Sequence, residues 1–393
     1  MTRGAAALLL AALACAPRAE PAPTPLARRP DWAPLRHFLD SAVAAGAAPG
    51  IVVAVSWPGH RYHYGTGHLS DSSSRRPNRR TVYDLASVTK VVGLTTAMMW
   101  AVEEGRLDLD APVARYVPSF QDPGADSVTL RLLLAHASGL PAWRPLYLLA
   151  SSRPGVFAVA DSTPLDTLPG ARFVYSDIGV ILLTQAVEAA YGERIDSLLA
   201  RRLFRPLGMH STTYNPPVAW IPRVAPTEYD AYRGRVIRGQ VHDENAWRMD
   251  GVSGHAGLFS SGQDLLTFGE WWMAQARGTP TGAGSPAVSD TLLRAFTVPQ
   301  QLPPGSPRAL GWEVPDAENT GSGFLSAGSV GHTGFTGTSI WMDPARSVVI
   351  VVLANRVYPT RANERFVGVR RGVGDRVLMA LEPGLQGPAG TPR

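Results

Sequence analysis

Residues 84–90 read Asp84-Leu85-Ala86-Ser87-Val88-Thr89-Lys90, and Lys90 is the single lysine of a 393-residue chain whose other 36 basic residues are arginines. Wherever positive charge alone was needed, this sequence uses arginine. Lysine differs in that a protein can lower its pKa into the working range, so that it exchanges a proton during catalysis. From Ser87 onward, helical spacing puts Val91, Leu94, Thr95, Met98 and Val102 on one face as far as Gly105. Ser87 and Lys90, three residues apart at the start of that helix, share a face, which brings the ammonium within reach of the hydroxyl. Unpaired N–H groups and the dipole at a helix start favour negative charge developing on a serine oxygen. The arrangement suits a nucleophile and its proton partner; the alternative is a helix-start serine beside a surface lysine.

Before this segment, Asp31 is placed to cap a helix whose apolar face is Leu35, Phe38, Leu39, Ala42 and Val43, ended by Gly46. Strand-like runs Ile51 to Trp57 and Arg61 to Tyr64 follow, joined by Pro58-Gly59. Beyond Gly254 strands return at Gly257 to Ser260, Leu310 to Val314, Val330 to Phe335 and Thr338 to Met342. The last turns through Asp343-Pro344-Ala345-Arg346 into Ser347 to Ala354, and Arg361 to Leu381 has the spacing of a closing helix. The fold class expected is α/β, an α+β sandwich: one antiparallel sheet built from both termini and flanked by helices, with a mainly helical lobe inserted. The catalytic domain is expected over 31–385, with 31–106 and 254–385 forming the α/β part and 107–253 the lobe.

The formal charge of +5 and pI near 9.5 raise nucleic acid as a partner, but the arginines are scattered without interleaved aromatics, so none is expected. Arg3, the apolar run Ala5 to Ala14 and Ala12-Leu13-Ala14 before Cys15 read as a signal peptide over 1–14, so the chain is expected to be exported, periplasmic or membrane-anchored. Cys15, the one cysteine, stands where bacterial lipoproteins are acylated, and 15–30 would serve as a Pro/Ala-rich tether. Ordinary cleavage is the alternative to a lipid anchor at Cys15.

A serine nucleophile needs a base, and the chain has no Gly-x-Ser-x-Gly elbow. Ser87-Val88-Thr89-Lys90, Tyr175-Ser176-Asp177 and His332-Thr333-Gly334 resemble the three signature elements of the serine β-lactamase and penicillin-binding protein superfamily. Their order and spacing are similar to class C β-lactamases and their esterase and peptidase relatives. Leu133 to Pro141 (LLAHASGLP), Pro206 to Thr212 (PLGMHST), Gly254 to Ser260 (GHAGLFS) and Gly331 to Pro344 carry the same resemblance.

The resemblance implies Ser87 as the acylated nucleophile, Lys90 and Tyr175 as the proton-transfer pair, and Asp177 bordering the substrate. It implies further that His332, Thr333, Gly334 and Phe335 line the cleft from an edge strand, with the Ser87 and Phe335 N–H groups as oxyanion hole. A nearby cation is expected to lower the Tyr175 pKa, and burial to lower that of Lys90. Gly328, Gly331, Gly334 and Gly337 recur every third residue of that strand, where a ligand or another backbone must approach closely. The third element commonly carries lysine where His332 stands, and the second asparagine where Asp177 stands. Both departures disfavour a carboxylate-bearing β-lactam and suit an ester or a peptide with a free amine. The function expected is acyl transfer to water from a small-molecule ester, amide or peptide substrate, cell-wall fragments included. A class C-like β-lactamase, or a non-catalytic penicillin-sensing module on the same fold, is the alternative.

Neither metal nor cofactor is expected: His60 and His63 point to opposite faces of a strand, and no His-Glu-x-x-His helix exists. Arg75, Arg76, Arg79 and Arg80 read as a solvated loop or a contact for anionic wall polymer or headgroups. His242-Asp243-Glu244 and His255 read equally as a turn or as substrate contacts, and Trp271-Trp272 as core.

Overall fold

The computed structural model describes residues 29–279, 287–306, 308–315 and 321–385; the expected signal peptide, Cys15 and nearly all of the tether lie outside them. In chain order the strands are β1 (Gly50–Trp57), β2 (His60–Gly67), β3 (Val82–Asp84), β4 (Thr213–Tyr214), β5 (Tyr229–Asp230), β6 (Arg235–Val236), β7 (Leu258–Ser261), β8 (Val330–Gly334), β9 (Thr338–Asp343) and β10 (Val348–Ala354). The main sheet is antiparallel with order β2-β1-β10-β9-β8, so strands from the two ends of the chain meet at its centre through the pairing Ile51↔Ala354 to Ser56↔Val349.

Both faces of that sheet are covered, and β1 is apolar almost throughout for this reason. Ile51, Val53 and Val55 pack with Val348, Ile350 and Val352 beneath the helices Ala33–Ala44 and Val369–Leu381, through Leu35, Leu39, Val373 and Val377. Val52 and Ala54 face the other way, with Val349, Val351 and Leu353, onto Leu265, Leu266 and Phe268 of the helix Gly262–Ala276. Trp271 and Trp272 lie in that same core, as expected.

The helix after Ser87 departs from its expected form. It winds as a π-helix over Lys90–Thr95 before becoming α-helical over Thr96–Glu103, and Lys90 to Ala101 is buried on every side rather than along one stripe. A helix buried all round belongs to the interior, and a π segment often marks a functional site. Two further expectations are corrected. Leu310 to Val314 forms no strand and pairs its backbone with the sheet at a single bridge, Glu313↔Gly331. The closing helix begins at Val369 and not at Arg361, whose guanidinium is committed instead to Glu228 and Glu244.

Candidate active site

β3 runs into the turn bearing Ser87, and Asp84 fixes that turn from both sides. Its Oδ1 accepts from the Ala86 N–H (2.8 Å) and its Oδ2 from the His242 N–H (2.6 Å), while the hydroxyls of Thr336 and Thr338 donate to the carbonyls of Asp84 (2.7 Å) and Leu85 (2.8 Å). Ala86 has φ of 46°, a left-handed conformation that costs an L-residue about 1–2 kcal/mol and persists only when its surroundings over-determine it. The strained residue thus sits directly before the serine, and the hairpin β8–β9 holds it there.

Lys90 Nζ donates to Ser87 Oγ (3.1 Å) and to the carbonyl of His255 (3.0 Å), and stands 2.7 Å from Asp177 Oδ1. The ammonium thus makes two hydrogen bonds and one ion pair. Burial alone disfavours the charge, but the Asp177 carboxylate and Tyr175 outweigh it and hold the ammonium above the ordinary lysine range. The expected lowering of Lys90 is therefore corrected, because the second element supplies a carboxylate where an amide would supply no charge. Tyr175 is corrected likewise: burial raises its pKa by more than Lys90 lowers it. The phenol is in contact range all the same, with Lys90 Nζ 4.9 Å from its ring centroid.

Tyr175 and Asp177 stand at the start of the helix Asp177–Tyr191, capped by Ser176 Oγ, which accepts from the Gly179 N–H (3.1 Å). His136, in the LLAHASGLP stretch, accepts from the Ser176 N–H at Nδ1 (3.1 Å) and lies 4.5 Å from the Tyr175 ring. Burial, with Arg308 and Lys90 nearby, keeps this imidazole neutral far below the usual histidine range. Sequence reasoning assigned no role to His136; only its position within the family-like stretch hinted at one.

The third element lies on the edge strand β8, as expected. Gly334 admits no Cβ, which would fall 2.1 Å from Thr338 Oγ1 and 2.4 Å from the Leu85 carbonyl. His332 is buried, with Nδ1 2.7 Å from the Thr333 carbonyl; that oxygen can only accept, so Nδ1 carries the proton and Nε2 the lone pair. Burial lowers its pKa to about 4, against the pull of Glu313. The partial charge expected of His332 near neutral pH is absent. Thr333 Oγ1 donates to Glu313 Oε1 (3.1 Å), and Phe335 stands at the mouth, 48% exposed. Among the described residues neither the Ser87 nor the Phe335 N–H is spent on a protein acceptor.

The cleft also holds a cation that sequence reasoning missed. Arg308 lies 5.5 Å from the rings of Phe173 and Tyr175 and 3.6 Å from Glu313, and its buried Nη1 has no partner among the described residues.

A family model described as Beta-lactamase matches residues 35–372. The chain belongs to the beta-lactamase family. Among the curated relatives, a protein of Salmonella schwarzengrund named "Putative D-alanyl-D-alanine carboxypeptidase" is 32% identical over 322 residues, covering 74% of this chain and 73% of its own length. A penicillin-binding protein homolog from Caulobacter crescentus superposes with a TM-score of 0.69 at 18% identity over 90% of this chain and 98% of its own. A class C beta lactamase from Rhodobacter sphaeroides gives 0.65 at 24% over 86% and 97%. This chain is thus a serine hydrolase of the beta-lactamase family by descent, with the fold of class C enzymes and penicillin-binding homologues.

Behind Lys90 this family member carries a buried relay. His255 joins Asp243 through Nε2 (2.9 Å) and Ser253 through Nδ1 (2.7 Å), so the residue whose carbonyl receives the ammonium is itself clamped at both ring nitrogens. His255 holds the Asp243 carboxyl far below the usual carboxylate range despite its burial. His242 instead stacks on Phe335 at 5.7 Å and faces Glu228 at 3.3 Å.

Buried neutral histidines make stability pH-dependent. His332 titrates near 6.5 when unfolded and at about 4 in the fold. Between those values the unfolded chain binds a proton that the folded one refuses, so stability falls as pH drops through this window. For His332 the loss reaches about 2 kcal/mol by pH 5, and His136 acts in the same direction. The melting temperature is expected to fall from pH 7 to pH 5, and His332→Gln to narrow that gap; an unchanged gap in the variant would refute the assignment.

Proposed function

We propose that the chain is an exported carboxypeptidase that removes the C-terminal residue from peptides ending in D-alanine, through an acyl-enzyme on Ser87. The observation that carries this reading is Arg308, whose buried Nη1 beside Tyr175 has no partner among the described residues, while its Nη2 faces Glu313 at 3.6 Å. A guanidinium is permanently charged and matches a carboxylate's geometry. It supplies from another segment the fixed charge that His332 lacks, and so answers the part of the objection to a carboxylate-bearing substrate that rested on His332; the Asp177 carboxylate is spent on Lys90. The name carried by the Salmonella relative supports the same reading.

In this reading the Lys90–Tyr175 pair reacts from the form that has lost one proton, a Tyr175 phenolate beside the Lys90 ammonium, a minor form at neutral pH because the pKa values of both groups are held upward. Ser87 Oγ attacks the penultimate carbonyl and its proton passes to the phenolate. The N–H groups of Ser87 and Phe335 receive the developing oxyanion, and the Lys90 ammonium offsets charge on the serine oxygen. The pair returns the proton to the departing amine, and water then cleaves the acyl ester. Phe335, exposed at the mouth, borders the acyl side.

A substrate panel tests the reading. A peptide ending in D-Ala-D-Ala is expected to lose one D-alanine, and the same peptide with an amidated C-terminus to react at least tenfold more slowly, the difference set by one buried charge contact. Equal turnover of acid and amide, with short-chain esters preferred to both, would replace the carboxypeptidase by an esterase. Nitrocefin as the best substrate would make the chain a β-lactamase.

A further inference from the structure

Many half-buried arginines of this chain meet a carboxylate, as Arg153 meets Glu188 and Arg202 meets Glu104. Four arginines that gather around 217–224 form no ion pair among the described residues, and the side chains of three, Arg75, Arg223 and Arg238, are held by neutral oxygens instead. Arg75 Nη1 donates to the Pro222 carbonyl (2.6 Å), and Arg238 donates to the same carbonyl (3.4 Å) and to that of Val224 (2.8 Å). Arg223 Nη1 donates to the carbonyl of Arg80 (2.9 Å) and to Ser211 Oγ (2.9 Å), with its guanidinium 4.3 Å from the Trp220 ring. The exposed side chain of Arg80 completes the group. Burial together with Arg80 lowers the pKa of Arg223, and burial together with Arg75 that of Arg238. Asp264 is the carboxylate that acts on Arg223, but it is buried and its Oδ2 already accepts from Ser211 and Thr212.

Four like charges crowded together repel; Arg75, Arg223 and Arg238 are held by only part of the fork, and all four guanidinium groups keep N–H groups for an incoming oxyanion. An apolar tip rises among them. Val218 is 87% exposed, Pro217 and Ala219 flank it in the open, and half-buried Trp220 follows one residue on. Basic side chains around a protruding apolar tip with an interfacial tryptophan fit a lipid surface, where cations meet headgroup phosphates and apolar groups enter the acyl boundary. A soluble polyanion would use the charges and leave Val218 idle.

We propose that this face docks on an anionic phospholipid surface, with Arg75, Arg80, Arg223 and Arg238 on headgroup phosphates and Val218 and Trp220 inserted between them. The contact is independent of the reaction at Ser87.

The test is co-sedimentation of the full chain carrying Cys15→Ser, so that no attached lipid contributes, with vesicles of phosphatidylcholine or of an equimolar phosphatidylcholine–phosphatidylglycerol mixture. Binding to the mixed vesicles is expected to be the tighter and to weaken with salt. Each arginine near such a surface strengthens binding about fivefold, so Arg75→Gln/Arg80→Gln/Arg223→Gln/Arg238→Gln should lose on the order of a hundredfold or more. Val218→Ser should lose severalfold at unchanged charge. A melting curve and ester turnover matching the parent confirm that the variants fold. Three outcomes overturn the proposal: equal binding to both vesicles, equal loss in the charge-matched control Arg61→Gln/Arg115→Gln/Arg201→Gln/Arg294→Gln, or an indifferent Val218→Ser. The last, joined to tight binding of soluble polyphosphate, would assign the patch to a dissolved polyanion.

Discussion

Ser87→Ala is expected to abolish covalent labelling by a fluorescent penicillin or a fluorophosphonate and to lower kcat on nitrophenyl esters by about 10⁴-fold or more. The loss is that large because the serine oxygen is the one atom that would form the covalent bond, and no neighbour replaces it. Lys90 loses one acceptor but keeps Asp177 and the His255 carbonyl, so the fold should survive with a melting temperature close to the parent's. Intact-mass spectrometry after labelling reads the result directly. A label persisting on the variant would move the nucleophile elsewhere. A parent protein that neither labels nor turns over any ester or peptide would instead reduce the site to a sensor.

Arg308→Gln is expected to lower kcat/KM for a D-Ala-D-Ala peptide by about 10²-fold, the scale of removing one partner from a desolvated charge contact, while neutral esters change less than about threefold. The ratio is the measurement that matters, because Arg308 also packs against Phe173 and Tyr175. Damage to the tyrosine's placement would depress both substrates together; loss of a carboxylate anchor depresses one. Arg308→Lys, which keeps the charge without the fork, should recover part of the preference. A parallel fall on both substrates would show that the arginine only props the phenol and would remove the basis for the carboxypeptidase reading.

The same compositional bias that exposed one of these residues concealed the other. Lys90 was legible because it is the single lysine, whereas Arg308 is one of 36 arginines and lies in a Pro- and Gly-rich stretch with no periodicity to place it. The hairpins β1–β2 and β9–β10 were legible because turn residues separate runs of β-branched and aromatic residues. Leu310 to Val314 resembled a strand by composition alone, yet one bridge is all it makes. Asp177 was named from the sequence and lies beside Lys90, but its consequence for Lys90 was misjudged: burial and pairing act on an ammonium in opposite directions, and a sequence does not reveal which prevails. His136 and the Asp243–His255 pair needed the fold, since their contacts cross 40 and 12 residues of chain.

The pairing of β1 with β10 has a consequence for the timing of activity. Ile51 aligns with Ala354, and the carbonyls around Ser87 are anchored by Thr336 and Thr338. A nascent polypeptide therefore carries its hydroxyl and amine long before it can shape the crevice around them. Until the ribosome has released the final strands, the serine lacks both the clamp on its turn and the opposing wall, and the growing chain cannot attack an acyl donor it meets on the way.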